Sequence, residues 1–217
     1  MKILDRILEL LYPTRCVFCR ALTGGGSEPV CRKCLKKLPY TNGDGQRQKL
    51  PFIPLCVSPL YYEGEVRQSL LRYKFHGAAA YSRFYGEILS KCIDENEISC
   101  DIITWVPLSR RRLRRRGYDQ AGLIAAETAR RSGADIAALL KKTRDNPPQS
   151  GTGSPEKRRA NVAGVYRAAA PEAVSGKRIL IVDDIVTTGA TLSECARVLS
   201  AAGAAEIYAA TVARTRE

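Results

Sequence analysis

The chain has 217 residues, of which 45% are hydrophobic and 26% charged. That composition excludes wholesale disorder and allows one ordinary domain plus a small extra one. A formal net charge of +13 points to an anionic partner: nucleic acid, a phosphorylated metabolite or a membrane surface.

The N-terminal stretch MKILDRILELLYP carries Ile3, Leu4, Ile7, Leu8 and Leu11 at helical spacing, which predicts a helix with one apolar face. Asp5, Arg6 and Glu9 interrupt any continuous apolar core, so a signal peptide is not expected. No window approaches the ~20 apolar residues of a membrane span. A cytoplasmic protein without membrane insertion is the expectation.

Cys16-x2-Cys19 is followed by Cys31-x2-Cys34. Disulfides are the less common use of cysteine in the cytoplasm. Two thiolate pairs, each bracketing a tight turn, suit a closed tetrahedral site, and so a structural zinc ion. Chelation is expected to unfold residues 15–40 and leave the remainder intact. Cys56, Cys92, Cys100 and Cys195 lack paired spacing and read as small core residues. Residues 41–49, TNGDGQRQK, read as a polar linker.

Next come an aromatic strand, a turn at Glu63-Gly64, a helix over Val66–Tyr73 and a second helix over 80–93. His76 reads as a surface or turn residue. From Asp101 strands and helices alternate. DIITWVP is a strand, with Trp105 in the core. RRRLRRRGYDQAGLIAAETARRSG is a basic loop leading into a helix that ends at Gly133. ADIAALL is a strand, and residues 141–161 form a long polar loop. VAGVYRA and KRILIVDD are strands. ATLSECARVLSAAG is a helix, with Thr191 and Glu194 at capping-box spacing and Gly203 at its end. AEIYAATVAR is the last strand. This order predicts an α/β fold with a mainly parallel sheet.

The chemistry concentrates in ILIVDDIVTTGAT, residues 179–191. Ionised carboxylates are costly to bury, yet Asp183 and Asp184 close an apolar run. Ligands of open parallel sheets sit at the carboxyl ends of strands. Gly189, the hydroxyls of Thr187, Thr188 and Thr191, and the N–H groups of the following helix make an anion cradle. A ribose 5-phosphate would supply hydroxyls for the aspartates and a phosphate for the loop. A receiver domain opens similarly but needs about 100 residues beyond its acidic pair, and this sequence stops at residue 217. A P-loop would need GxxxxGK[ST], which is absent. The remaining alternative is a plain strand-to-helix turn with solvated acids.

The same thirteen residues resemble the phosphoribosyl-pyrophosphate (PRPP) motif of type I phosphoribosyltransferases. In order, the paired CxxC module, YKFHG, VPLSRRRLRRRGYDQA, QSGTGSPEKRRANVAGVY and the Asp-Asp loop resemble the ComF family, named for competence protein F. The resemblance implies a type I phosphoribosyltransferase fold over residues 51–217, behind an N-terminal helix and zinc module over residues 1–50. It implies that Asp183 and Asp184 hold the ribose of Mg²⁺-bound PRPP. Thr187, Thr188, Gly189, Ala190 and Thr191 would hold its 5-phosphate, and Ser109 and Arg110 its pyrophosphate. Lys157, Arg158 and Arg159 would lie on a loop that closes over the ligand. Two departures stand out. Further cysteine pairs common in the family are not evident, and Asp119 replaces the family's Asn, with no role assigned to it.

Six arginines crowd residues 110–116, more than one pyrophosphate requires. They read either as a solvated basic face or as a track for single-stranded DNA. The ComF resemblance adds DNA uptake and a helicase-like partner to the second reading. The first function is a phosphoribosyltransferase of unspecified acceptor; the alternative is a non-catalytic DNA-binding protein of competence.

Overall fold

The computed structural model describes residues 14–23, 28–144 and 162–216. The predicted N-terminal helix falls outside them, as do Lys157, Arg158 and Arg159.

After a knuckle at Cys16–Cys19, a short helix α1 spans Arg32–Leu35. Then come β1 (Arg47–Leu50), β2 (Ile53–Val57), β3 (Leu60–Tyr61), α2 (Gly64–Phe75), α3 (Ser82–Glu95) and β4 (Ile102–Trp105). They are followed by α4 (Arg110–Arg116), α5 (Gln120–Ser132), β5 (Asp135–Ile136), β6 (Leu140–Lys142) and β7 (Tyr166–Ala168). The chain closes with β8 (Arg178–Val186), α6 (Ala190–Ala201) and β9 (Glu206–Arg214).

The main sheet runs β1-β2-β9-β8-β4-β5, with β3 also on β9. Among the described strands of this sheet, only β1 and β2 pair antiparallel. β8 and β9 stay in continuous register from Arg178↔Glu206 to Val186↔Arg214. Their apolar runs are buried on both faces, as central parallel strands require. One face packs Leu180 and Val182 against Leu70 and Tyr73 of α2, Tyr85 and Leu89 of α3 and Ile124 of α5. The other packs Ile179 and Ile181 against Leu192, Cys195 and Leu199 of α6. Gly86 lets α3 cross α5 closely, since a Cβ there would lie 2.4 Å from Glu127 Cβ.

Four local readings change. Residues 47–49 are not linker but most of β1, which pairs with β2. The arginine run is not a loop but a helix, with Ser109 as its N-cap and Gly117 in the left-handed region as its C-cap. The expected strand over 134–140 breaks in two. β5 ends the main sheet, while β6 turns away to pair with β7 in a separate hairpin, Lys142↔Tyr166. That hairpin roots the long polar loop, which therefore has structured arms. Finally, Thr191 and Glu194 form no capping box. Gly189 takes the N-cap position, and Glu194 instead accepts the Gly164 N–H at 2.8 Å and pairs with Arg197.

Candidate ligand site and four-cysteine cluster

Strands β4 and β8 are neighbours in register, with Trp105 beside Val182. β4 leads through α5 outward to β5, and β8 leads through α6 the other way to β9. Their carboxyl ends thus flank a topological switch point, where a crevice opens in sheets of this kind. Every main-sheet site residue expected from sequence and described here lies at these two strand ends.

Asp183 and Asp184 are successive residues of β8, so their side chains leave opposite faces of the sheet. Asp184 is buried and turns to α2, where Lys74 Nζ lies 3.0 Å from its Oδ2. Asp183 Oδ1 accepts the Asp184 N–H at 2.8 Å. Burial, and then the charge of Asp184, raise the Asp183 carboxyl above the usual carboxylate range, against the pull of Lys74. Two acids this close repel each other's ionised form.

The loop Thr187–Gly189 leads directly into α6. Gly189 has φ +71°, and a Cβ there would lie 2.3 Å from Leu50 Cδ2. The glycine thus serves a left-handed turn and the seat of β1, rather than ligand access alone. Among the described residues no side chain caps α6, which leaves its first-turn N–H groups facing the loop. Thr187 is exposed, and Thr188, Ala190 and Thr191 are half-buried around the same turn.

Across the crevice, Ser109 is buried and its hydroxyl accepts the Arg112 N–H at 3.3 Å. Arg110 starts α4, exposed. Asp119 caps α5 and ties the crevice together. Its Oδ1 accepts the Gly122 N–H at 3.2 Å and its Oδ2 the Leu108 N–H at 3.1 Å. Burial raises the Asp119 carboxyl, against the hydrogen bonds from Leu108 and Gly122 and the nearby Trp105 indole. Both oxygens accept from N–H groups, so a carboxylate satisfies a geometry in which an Asn amide nitrogen would oppose one donor.

Sequence reading missed two contributors. Lys74 lies within YKFHG, a motif quoted above without a role. Arg116 was counted with the basic run, but it is half-buried and faces inward. It donates to Gln120 Oε1 at 2.7 Å, sits 5.1 Å over the Phe75 ring and feels the charge of Asp184. The signal for Arg116 was its place before Gly117-Tyr118, where α4 must turn back onto the sheet. His76 caps α2 and is exposed, as expected.

The sulfur atoms of Cys16, Cys19, Cys31 and Cys34 all lie within 4.8 Å of one another. The Cys31 N–H donates to Cys16 Sγ at 3.4 Å and the Cys34 N–H to Cys31 Sγ at 3.5 Å. Such N–H···S bonds favour thiolates. Four converging soft donors fit a structural zinc site and leave no open coordination position. Cys56, Cys92 and Cys195 are buried in the core. Burial pushes the Cys56 and Cys92 thiols up to about 12, far from reactivity.

Fold and crevice together define a phosphoribosyltransferase-type α/β protein with an N-terminal four-cysteine ribbon. A model of the phosphoribosyl transferase domain matches residues 117–217, and one of the double zinc ribbon domain matches residues 7–44. Competence protein F of Haemophilus influenzae is 26% identical over 225 residues, covering 92% of this chain and 96% of that protein. Competence protein ComFC of Bacillus subtilis is 29% identical over 71% of this chain and 62% of its own length. DNA utilization protein YhgH of Escherichia coli K12 is 34% identical over 53% of this chain, which spans half of that protein. Over most of its length the chain is thus similar to competence proteins of the ComF type.

Proposed function

We propose that this protein binds Mg²⁺-bound PRPP at the β4–β8 crevice and transfers its phosphoribosyl group, the acceptor being unspecified. The observation that carries this reading is the adjacency of Asp183 and Asp184 to an uncapped helix start at the switch point. The carboxylates accept hydrogen bonds from the ribose hydroxyls, and the Thr187–Thr191 N–H groups and hydroxyls hold the 5-phosphate. Leu108, Ser109 and Arg110 face the pyrophosphate across the crevice. The hard oxygen surroundings suit Mg²⁺, which when bound would supply charge neutralisation at the pyrophosphate. Displacement at the anomeric carbon builds positive charge on the sugar, so the protein acts by positioning and electrostatics. Lys157, Arg158 and Arg159 belong to the proposed closing loop. Zinc at the four cysteines is structural in this reading.

Calorimetric titration of Mg-PRPP tests it. The double change Asp183→Asn and Asp184→Asn is expected to weaken binding at least tenfold, each charge-assisted hydrogen bond contributing about 1.5–3 kcal/mol. Unchanged affinity would place the ligand elsewhere.

A second reading is favoured by one feature. Arg110, Arg111, Arg114 and Arg115 of α4 are exposed, and the relatives are named for competence and DNA utilization. In this reading the helix tracks single-stranded DNA and the PRPP site is retained without turnover.

A further inference from the structure

We infer that Lys74 is a positioning residue of the acidic pair: its ammonium, 3.0 Å from Asp184 Oδ2, orients that side chain for the ribose hydroxyls. The inference deepens the PRPP reading above and rests on it. The Lys74 and Asp184 side chains are only 20% and 11% exposed, at 3.0 Å. Solvent and salt therefore screen this pair much less than a surface bridge.

The helix end that delivers Lys74 is clamped on both sides. Arg72 donates to the carbonyls of Val17 at 3.1 Å and of Phe18. The Tyr73 hydroxyl donates to the Gln120 carbonyl at 2.9 Å, and the Tyr118 hydroxyl to the Tyr73 carbonyl. α2 thus enters the crevice as a rigid arm between the cysteine knuckle and the start of α5. A flexible surface lysine would not be held in this way.

The electrostatic need is visible around the pair. Asp183 from β8 and Asp119 from the cap of α5 face Asp184 with like charge, and Arg116 of α4 adds positive charge from the side. Tyr73 of α2, Tyr118 and Tyr85 of α3 border this side as neutral phenols. Tyr166 of β7, Cys195 of α6 and Cys56 of β2 lie around Asp183 on the other. Arg112, Lys142, Arg214 and Glu194 carry charge near those groups on the Asp183 side, while Lys74 touches Asp184 directly and its charge eases ionisation of Asp183.

The experiment compares wild type, Lys74→Arg, Lys74→Met and Lys74→Gln by calorimetric titration of Mg-PRPP from pH 6 to 9, with ligand-free thermal unfolding over the same range. Wild type and K74R keep the charge; K74M and K74Q remove it. Expected is a grouping by charge. The uncharged variants bind about tenfold more weakly at pH 7.5, and the pH of half-maximal affinity moves up by about one unit or more. Their unfolding temperature also falls more steeply toward alkaline pH, because Asp183 must then ionise in the fold without the opposing charge of Lys74. Wild type that binds Mg-PRPP, with uncharged variants matching its affinity and both pH profiles, overturns the inference alone. Wild type that binds no Mg-PRPP overturns the PRPP reading. If K74M is too unstable to study, K74Q against K74R still decides, and grouping by side-chain size counts against the inference.

Discussion

At the scale of single residues, Asp183 sets the pH behaviour. Burial and the neighbouring Asp184 push its carboxyl up to about 8. An acid raised in the fold contributes stability at low pH that is lost as pH rises through the folded value. Ligand binding runs the other way, because ribose hydroxyls need ionised acceptors. Mg-PRPP affinity should therefore rise between pH 7 and 9, where phosphate groups with a second pKa near 6 are already ionised. Calorimetry in two buffers of different ionisation enthalpy should also show proton release on binding near pH 7. Flat affinity across this window would show that Asp183 is ionised before the ligand arrives. The acidic pair was legible in the sequence because adjacent carboxylates directly after an apolar run have no structural excuse. Lys74 was not, because a lysine in an amphipathic helix looks like any solvated one until the fold turns it toward Asp184. Glu194 misled for a related reason. Its spacing from Thr191 fits a capping box, but Gly189 must take the left-handed position against Leu50, and the glutamate goes to the Gly164 N–H instead.

At the scale of elements, the strongly patterned ones were legible: β4, β8, β9 and the helices α2, α3, α5 and α6 lie where apolar periodicity puts them. β1 was not, since Arg47-Gln48-Lys49-Leu50 offers one apolar residue and owes its pairing to β2. α4 was not, because six arginines around Leu113 carry no apolar stripe and no acid for the helix start. Its helical form sorts the arginines. Arg110, Arg111, Arg114 and Arg115 are exposed, whereas Arg112 is half-buried and carries charge toward Tyr166, and Arg116 serves the crevice. The variant that tests a DNA track is therefore Arg111→Gln with Arg114→Gln and Arg115→Gln. If these side chains follow a single strand, its log–log salt slope should flatten by about 2, at about 0.7 per phosphate neutralised, with PRPP affinity kept. An unaltered slope removes α4 from DNA binding. Arg116→Gln should do the reverse, weakening PRPP more than DNA.

At the scale of the whole molecule, the sequence divides the chain near residue 50 into a cysteine module and a sheet domain. The packing joins them. Cys16, Val17, Phe18, Val30, Cys34 and Leu38 share one buried cluster with Leu70, Tyr73, Phe84 and Tyr85. Phe18 meets Phe84 edge-on at 5.5 Å between centroids. The Ser69 hydroxyl donates to the Val17 carbonyl at 2.7 Å, beside the Arg72 bonds to the same knuckle. The Thr41 hydroxyl donates to the Ser58 carbonyl, and Tyr61 donates its N–H to the Pro39 carbonyl at 2.8 Å. Loss of the metal would therefore not melt residues 15–40 alone. It would strip apolar cover from α2 and α3 and release the end of α2 that carries Lys74. Structural zinc supplies folding free energy of about 10 kcal/mol or more in finger-like modules, and buried aromatics exposed by its loss cost several kcal/mol more. Elemental analysis of protein purified without chelators should find one zinc per chain at this cluster. Chelation under mild denaturing conditions should then lower the unfolding temperature of the whole chain in a single transition, and Mg-PRPP affinity should fall before global unfolding as α2 loosens. Two separated transitions, the later one matching the untreated protein and retaining full PRPP affinity, would show instead that the module and the sheet domain fold independently.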